Sequence, residues 1–363
     1  MTLPDPRLYP RVNANNPAIR ALMSLLTERD AEQVKLKRGA LDALICELLQ
    51  ANDHGALHAA LTQAPSQYAY SILWESLRKA VEQPESYNEQ WAVPFAIPVV
   101  LVAGVKGQTN LPGKLNDLDT VTKILKNHDI FATDADVWLS AQLAHPEQLA
   151  EINPAQLTRW RDQLQYASGG LPVNFAEAPV PLKDEGVFLR YLVGVAIQKK
   201  TAAPAVKLGG QVSAWGVPLA QELGKQLQTA GVTLFAIPRV PQTWLAAQES
   251  GRITQLETRL QVAASNALRS IRTAGRTPVV TIAAHEPGEI RITFSAQEDS
   301  ERWEGYVWPL APLDETEQVV AFARELFAEC HVDDLRFIDA VQPDRIGELP
   351  FFVTAHIAPA AHH

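Results

Sequence analysis

The stretch with the most suggestive chemistry follows the first apolar run of the chain and reads Gly104-Val105-Lys106-Gly107-Gln108-Thr109-Asn110-Leu111-Pro112-Gly113-Lys114. A phosphate loop needs backbone N–H groups curled around the phosphate, a lysine that reaches it and a Ser or Thr hydroxyl on the metal, spaced G-x-x-x-x-G-K-[ST]. From Gly107 to Gly113 there is one residue too many, Pro112 has no N–H to offer, and Leu115 stands where the hydroxyl belongs. The expectation is a turn-rich connector. His54 and His58 are four apart and share a helix face beside Asp53, a spacing that can hold a metal. The intervening Gly55-Ala56-Leu57 lacks the glutamate of a zinc protease, so exposed histidines near a helix start are expected. Cys330 and His331 with Asp333 and Asp334 form another polar group, but adjacent helical residues point in different directions, and a structural helix end is the simpler reading.

Arg252, Arg259, Arg269, Arg272 and Arg276 decorate a long helical pattern away from its apolar stripe. They could bind an anion or an acidic partner, though a solvated face is the commoner outcome, and Arg272 and Arg276 fall where cations complement a helix C-terminus. No G-x-S-x-G elbow and no dinucleotide fingerprint after a strand occurs. The tryptophans at 74, 138, 244 and 308 sit in apolar patterns and read as core. No catalytic residue, cofactor-binding residue or metal ligand is therefore assigned, and no cofactor is expected.

Composition narrows the partners. The 363 residues carry a net charge of −9, with 47% hydrophobic and 20% charged residues, as in an ordinary globular protein. The acidic balance weighs against general phosphate-backbone binding, so no nucleic acid is expected. The longest apolar stretch, around Trp91 to Val105, is broken by Pro94 and Pro98 and is too short to span a bilayer, so no membrane partner is expected either. Cys46 and Cys330 cannot make a disulfide framework, and the proline- and charge-bearing start MTLPDPRLYPRVNANNP does not read as a secretion signal. A reduced, cytoplasmic setting follows. The closing His362-His363 pair is given no role.

The elements that must position any site read as follows. Residues 1–88 form a helical N-terminal region, with stripes Ala18/Leu22/Leu25/Leu26 and Leu41/Leu44/Ile45/Leu48/Leu49 on successive helices, then helices carrying Leu57/Leu61 and Tyr70/Leu73/Trp74/Leu77. Residues 89–363 form an α/β domain. Ala96 to Val102 and Val187 to Ile197 read as buried strands, the former placed by its prolines at an edge or bulge. Val137 to Leu143 and Val232 to Ile237 are further strands. Helices are expected from Asn153-Pro154 through Tyr166, from Pro218 to Ala230 with Gly231 as C-cap, from Arg252 to about Thr273, and from Glu315 to Glu329. A weak echo between Val137-Trp138-Leu139-Ser140-Ala141-Gln142 and Thr243-Trp244-Leu245-Ala246-Ala247-Gln248 raises the idea of two related halves, 89–168 and 185–345.

Thr277 to Leu310 organises the C-terminal part as an antiparallel meander. Val279 to Ile282 open it, His285-Glu286-Pro287-Gly288 turns it, and Ile290, Ile292 and Phe294 alternate with Glu289, Arg291 and Thr293 as in a strand with one buried face. Tyr306-Val307-Trp308 returns the chain. A strand at Leu335 to Ile338 and an edge strand at Phe351-Phe352-Val353 are expected to follow. The fold class is α/β or α+β, with a mixed sheet, a C-terminal antiparallel meander and an N-terminal helical layer.

The N-terminal helical pair, the Ile97-Pro98-Val99 strand, Tyr191-Leu192-Val193-Gly194-Val195-Ala196, Arg291-Ile292-Thr293-Phe294, Gly305-Tyr306-Val307-Trp308-Pro309-Leu310 and Cys330-His331-Val332 together resemble a betaproteobacterial family of conserved cytoplasmic proteins known only as a domain of unknown function. The resemblance covers most of the chain and is most specific in the meander. It implies a bacterial cytoplasmic setting and supplies no catalytic residues. Some relatives carry a cysteine pair near the C-terminus; Pro343 to Glu348 here has none.

Two functions of different classes remain. The leading one is a non-catalytic cytoplasmic interaction or assembly protein, oligomeric or bound to a protein partner. The alternative is an enzyme or small-ligand binder with a cleft at the ends of the buried strands. The spacing argument for the loop has its own test: calorimetric titration with magnesium-ATP and magnesium-GTP at physiological salt is expected to show no micromolar binding, and binding abolished by Lys114→Ala would contradict it.

Overall fold

The computed structural model describes residues 15–51, 53–82, 85–87, 90–105, 110–111, 114–150, 180–181, 186–199, 206–207, 212–228, 232–285, 288–338 and 351–354. The chain divides into two compact units, Met1–Gln255 and Leu256–His363.

The first unit opens with helices α1 (Pro17–Leu26), α2 (Ala31–Gln50), α3 (His54–Thr62) and α4 (Gln67–Glu82). Each start is fixed by a side chain that accepts a backbone N–H of the first turn. Asn16 accepts from Ala18 and Ile19, Asp30 from Gln33, Asp53 from Ala56 and Ser66 from Ala69. The expected stripes converge on one core that includes Leu22, Leu41, Ile45, Leu57 and Leu73.

A five-stranded antiparallel sheet follows, built on β2 (Gln90–Val105). One edge of β2 pairs with β6 (Val187–Lys199), which in turn pairs with β4 (Asp136–Leu139). The other edge pairs with β1 (Glu85–Tyr87) at one end and β7 (Val232–Pro238) at the other. Pro94 and Pro98 fall between these two pairings, where Ala96 still donates to the Gln242 carbonyl at 2.9 Å. Prolines are thus tolerated in a central strand because they face the gap in its ladder. A short pair, β3 (Asn110–Leu111) with β5 (Val180–Pro181), stands apart.

Helices α5 (Leu118–Asn127) and α7 (Val212–Gln226) contribute Val121, Leu125, Trp215, Leu219 and Leu223 to the core over one face of this sheet, while α6 (Pro146–Ala150) is a single short turn. At Gly194 of β6 a Cβ would come within 2.5 Å of the Phe95 ring and 2.7 Å of the Trp138 carbonyl, so glycine is required there by close approach. Helix α7 begins upstream of the expected start, with Pro218 inside it, because Trp215 and Leu219 already bury its first turns. Helix α8 (Trp244–Thr273) likewise starts before Arg252, extended by the buried Trp244, Ala247 and Gly251. The echoing segments take different structures: Val137 to Leu139 lie in β4 and Trp244 to Gln248 in α8. The helix expected at Asn153 to Tyr166 lies outside the described residues.

In the second unit β8 (Pro278–His285), β9 (Glu289–Ala296) and β10 (Asp299–Pro309) form the expected meander. The parallel strand β11 (Asp334–Ile338) joins β8 and makes this sheet mixed. Ile290, Ile292 and Phe294 are buried on one face, and the Phe294 ring meets Phe327 of α9 (Thr316–Glu329) edge-on at 5.9 Å. The opposite face is buried as well: Arg291, Thr293 and Ser295 are 2%, 0% and 5% exposed, a correction to the expected single buried face. Phe351 to Thr354 form a helical turn, α10, rather than an edge strand. The side chain of Phe352 explains this, since a Cβ at Gly305 would lie 2.7 Å from its ring and the Trp303 ring flanks it at 5.3 Å.

Ile292 is fully buried. Ile292→Asp places an unpaired carboxylate there and is expected to cost roughly 3–5 kcal/mol, against a typical total of about 5–15 kcal/mol. Urea unfolding of the variant measures it; an unchanged midpoint would refute the assigned face.

Candidate functional site

Strand β7 reads Val232-Thr233-Leu234-Phe235-Ala236-Ile237-Pro238 and has no charged residue. Leu234 and Ala236 alternate inward and pack on the core. Phe235 and Ile237 alternate outward, 64% and 36% exposed. Among the described residues β7 has one hydrogen-bonded neighbour, β2, and its second edge pairs with none of them. Such edges are ordinarily blunted with lysine, inward charges or bulges. Here an outward apolar pair and an edge without a partner among the described residues coincide, which is the arrangement that adds a further strand.

The residues singled out in the sequence are spread over the fold. Lys114 bridges to Gln142, and Leu115 is buried, its N–H donating to the Ala141 carbonyl. The next helix, α5, starts at Leu118 and is capped by Asp117, whose carboxylate accepts from both the Thr120 N–H and its hydroxyl. Those two bonds hold the Asp117 carboxyl below its ordinary range, so a negative group already occupies the position a phosphate would take. Residues 106–109 and 112–113 of the loop lie outside the described residues.

His58 is exposed on α3, whose start Asp53 caps, and among the described residues no group of three or more His, Cys, Asp or Glu could hold a metal. Cys330 is the C-cap of α9, and His331 follows with φ of 54°. Both of their carbonyls accept from Arg272 Nη2, at 2.6 and 3.0 Å, so this arginine seals the end of a neighbouring helix. Arg252 pairs with Glu249 at 2.8 Å and Arg276 with Asp299 at 2.8 Å. Asp334 is tied to Arg336, which holds its carboxyl below the usual range. Both cysteines are free. Trp244 and Trp308 are buried, and Trp74 stacks on Tyr70 at 6.3 Å.

Two buried polar features escape a reading by periodicity. Arg291 in β9 donates from Nε to Glu289 at 2.6 Å and from Nη1 to the Phe352 carbonyl at 2.6 Å, with its guanidinium 5.6 Å from the Phe352 ring centre. This ties α10 to the polar face of the sheet. Tyr191 of β6 is buried, its hydroxyl donates to the Gln248 carbonyl at 3.2 Å, and burial followed by the charge of Glu249 raises its pKa.

Comparison with protein-family models, curated proteins and solved structures finds no match. No described helix is long and apolar enough to cross a membrane.

The guanidinium of Arg291 meets the carboxylate and the carbonyl along two directions at once, a geometry an ammonium does not reproduce. Arg291→Met is expected to destabilise by about 2 kcal/mol, and Arg291→Lys is expected to recover less than half of that loss. Urea midpoints of the three proteins provide the check.

Proposed function

We propose that this chain is a non-catalytic assembly protein that self-associates through β7, in a bacterial cytoplasmic setting. The observation that supports the reading is the charge-free edge strand with Phe235 and Ile237 outward on it. Two copies related by a two-fold axis bring β7 against β7 in antiparallel register, which satisfies the exposed backbone groups and pairs the two apolar rows on the same sheet face. The edge has no charge to repel its copy. Pro238 ends the pairing, since it offers no N–H. The acidic net charge and the two free cysteines agree with a soluble, reduced environment.

Light scattering across a concentration series, applied to the wild type and to Phe235→Lys and Ile237→Lys, tests this. The wild type is expected to be dimeric at micromolar concentration and both variants monomeric with unchanged melting temperature, because the substituted positions are exposed. A wild type that stays monomeric, or variants that remain dimers, would overturn the reading. A monomer that binds a heterologous strand at the same edge would replace self-association with partner binding.

A further inference from the structure

Three residues of the second sheet converge on one side chain of α10. A Cβ at Gly305 of β10 would meet three ring carbons of Phe352 at 2.7 Å, so the ring lies directly on glycine backbone. The Trp303 ring stands beside it with centroids 5.3 Å apart and planes tilted by 37°, and the Arg291 guanidinium lies 5.6 Å from its centre. Alternation and register put all three on one face, since Trp303 and Gly305 are two apart in β10 and Arg291 pairs with Val307, two further on. Arg291 also donates from Nη1 to the Phe352 carbonyl at 2.6 Å, while Glu289 holds its Nε at 2.6 Å. Ring and backbone of one residue are thus gripped together. Val353, the next residue, is fully buried and supplies a second anchor.

The setting differs from that of a core aromatic. Trp303 and Phe352 are half-buried and Gly305 is exposed, so the contact opens to solvent, whereas Phe294 on the opposite face is 2% exposed. Thr293, the register partner of Gly305, is fully buried, and its hydroxyl has no hydrogen-bond partner among the described residues. An apolar ring cannot satisfy that hydroxyl, which weakens the cover it provides. Residues 339–350 join β11 to α10, and chain of that length extends to at most roughly 40 Å, enough for the segment to reach a neighbouring copy.

We infer that Trp303, Gly305 and Arg291 form a peptide-recognition slot for an aromatic-aliphatic pair, closed in cis by Phe352 and Val353 and filled on exchange by the same pair of a second copy. The occupant follows from fit: the slot holds this chain's own Phe-Val pair, and a second copy presents it with identical chemistry. An aromatic anchor, a positioned donor for its carbonyl and a glycine that admits close approach are the means by which short segments are recognised. An attached segment holds its slot at a local concentration of about millimolar, so a free one binds well only where the cis pair is removed or blocked. The slot lies in the second unit and owes nothing to the β7 edge.

The experiment uses the full chain. Phe352→Ala/Val353→Ala removes both anchors, and a fluorescent peptide of residues 348–356 is titrated against this empty-slot variant by anisotropy, with unfolding measured in parallel. The peptide is expected to bind the variant saturably, and to bind the wild type, whose slot is filled, about tenfold or more weakly. Adding Gly305→Ala to the variant puts a methyl where the incoming ring would lie and is expected to weaken binding about tenfold. Stability is expected to hold, because the nearest atoms that methyl would meet belong to Phe352. The source of the occupant is read by mixing the empty-slot variant with Gly305→Ala, whose own Phe352 is displaced, each also carrying Phe235→Lys so that β7 takes no part. The mixture is expected to give a heterodimer in light scattering that neither chain gives alone. Peptide binding without that heterodimer would assign the slot to a foreign segment and overturn exchange. An empty-slot variant that fails to fold would make Phe352 and Val353 core residues and overturn the slot. So would a folded variant that ignores the peptide, binds it no better than the wild type does, or is indifferent to Gly305→Ala.

Discussion

The first unit depends on the hydrogen-bond satisfaction of one long strand. The sixteen residues of β2 run from Gln90 to Val105 and are bonded along one edge to β6 and along the other to β1 and then β7. A strand buried on both faces and both edges must place every backbone N–H, and the cost of leaving one unpaired is of the order of a lost hydrogen bond. Pro94 and Pro98 are compatible with this because they fall where the second edge changes partner, between the β1 and β7 ladders. The same change of partner lies where β7 ends, with Pro238 opposite Val99. An edge that closed over β2 along its whole length would have needed an N–H at both prolines.

Much of this was legible in the sequence. Periodicity located the N-terminal helices and the meander because their side-chain alternation is set by burial on one side of each element, and the capping residues Asp53 and Ser66 mark helix starts through a local hydrogen bond. What escaped was decided by distant partners. The polar row Arg291, Thr293 and Ser295 looks solvent-facing in an alternating strand, yet it is buried, with Phe352 covering Gly305 from 47 residues further along the chain. Phe351 to Val353 is too short for its periodicity to separate a strand from a helical turn. The beginning of α8 was hidden because Trp244, Ala247 and Gly251 form an apolar stripe of small and aromatic residues that continues a pattern first recognisable at Ile253.

The candidate sites divide along the same line. Lys114, the His54–His58 pair, and Cys330 with His331 were visible as chemistry-bearing residues, and the described parts of each serve the backbone: a bridge to Gln142, a capped helix start and a sealed helix end. Residue type was informative there and surroundings were not. Arg190 carried no signal at all, since an arginine between Leu189 and Tyr191 in an apolar run reads as one polar interruption. Its surroundings come from register, which sets it opposite Val99 on the core face, where it donates to the Leu189 carbonyl. The outward row of β7 was equally silent, because an apolar seven-residue strand reads the same whether central or at an edge.

The outward row of β7 and the side chain of Arg190 belong to different faces of one sheet. Phe235 and Ile237 alternate away from the layer that holds Leu234, Ala236 and Leu192, while Arg190 projects into it. A strand added to β7 would therefore contact backbone and the face opposite Arg190. The two share β2, whose Val99 pairs with both Arg190 and Pro238. Substitutions at the exposed positions 235 and 237 leave that row unaltered, and a change of Arg190 to an apolar residue leaves the β7 edge unaltered. Changes at sites with no shared side-chain contact add independently, so the effect of a substitution at position 235 or 237 on self-association is readable without disturbing the core face of the sheet.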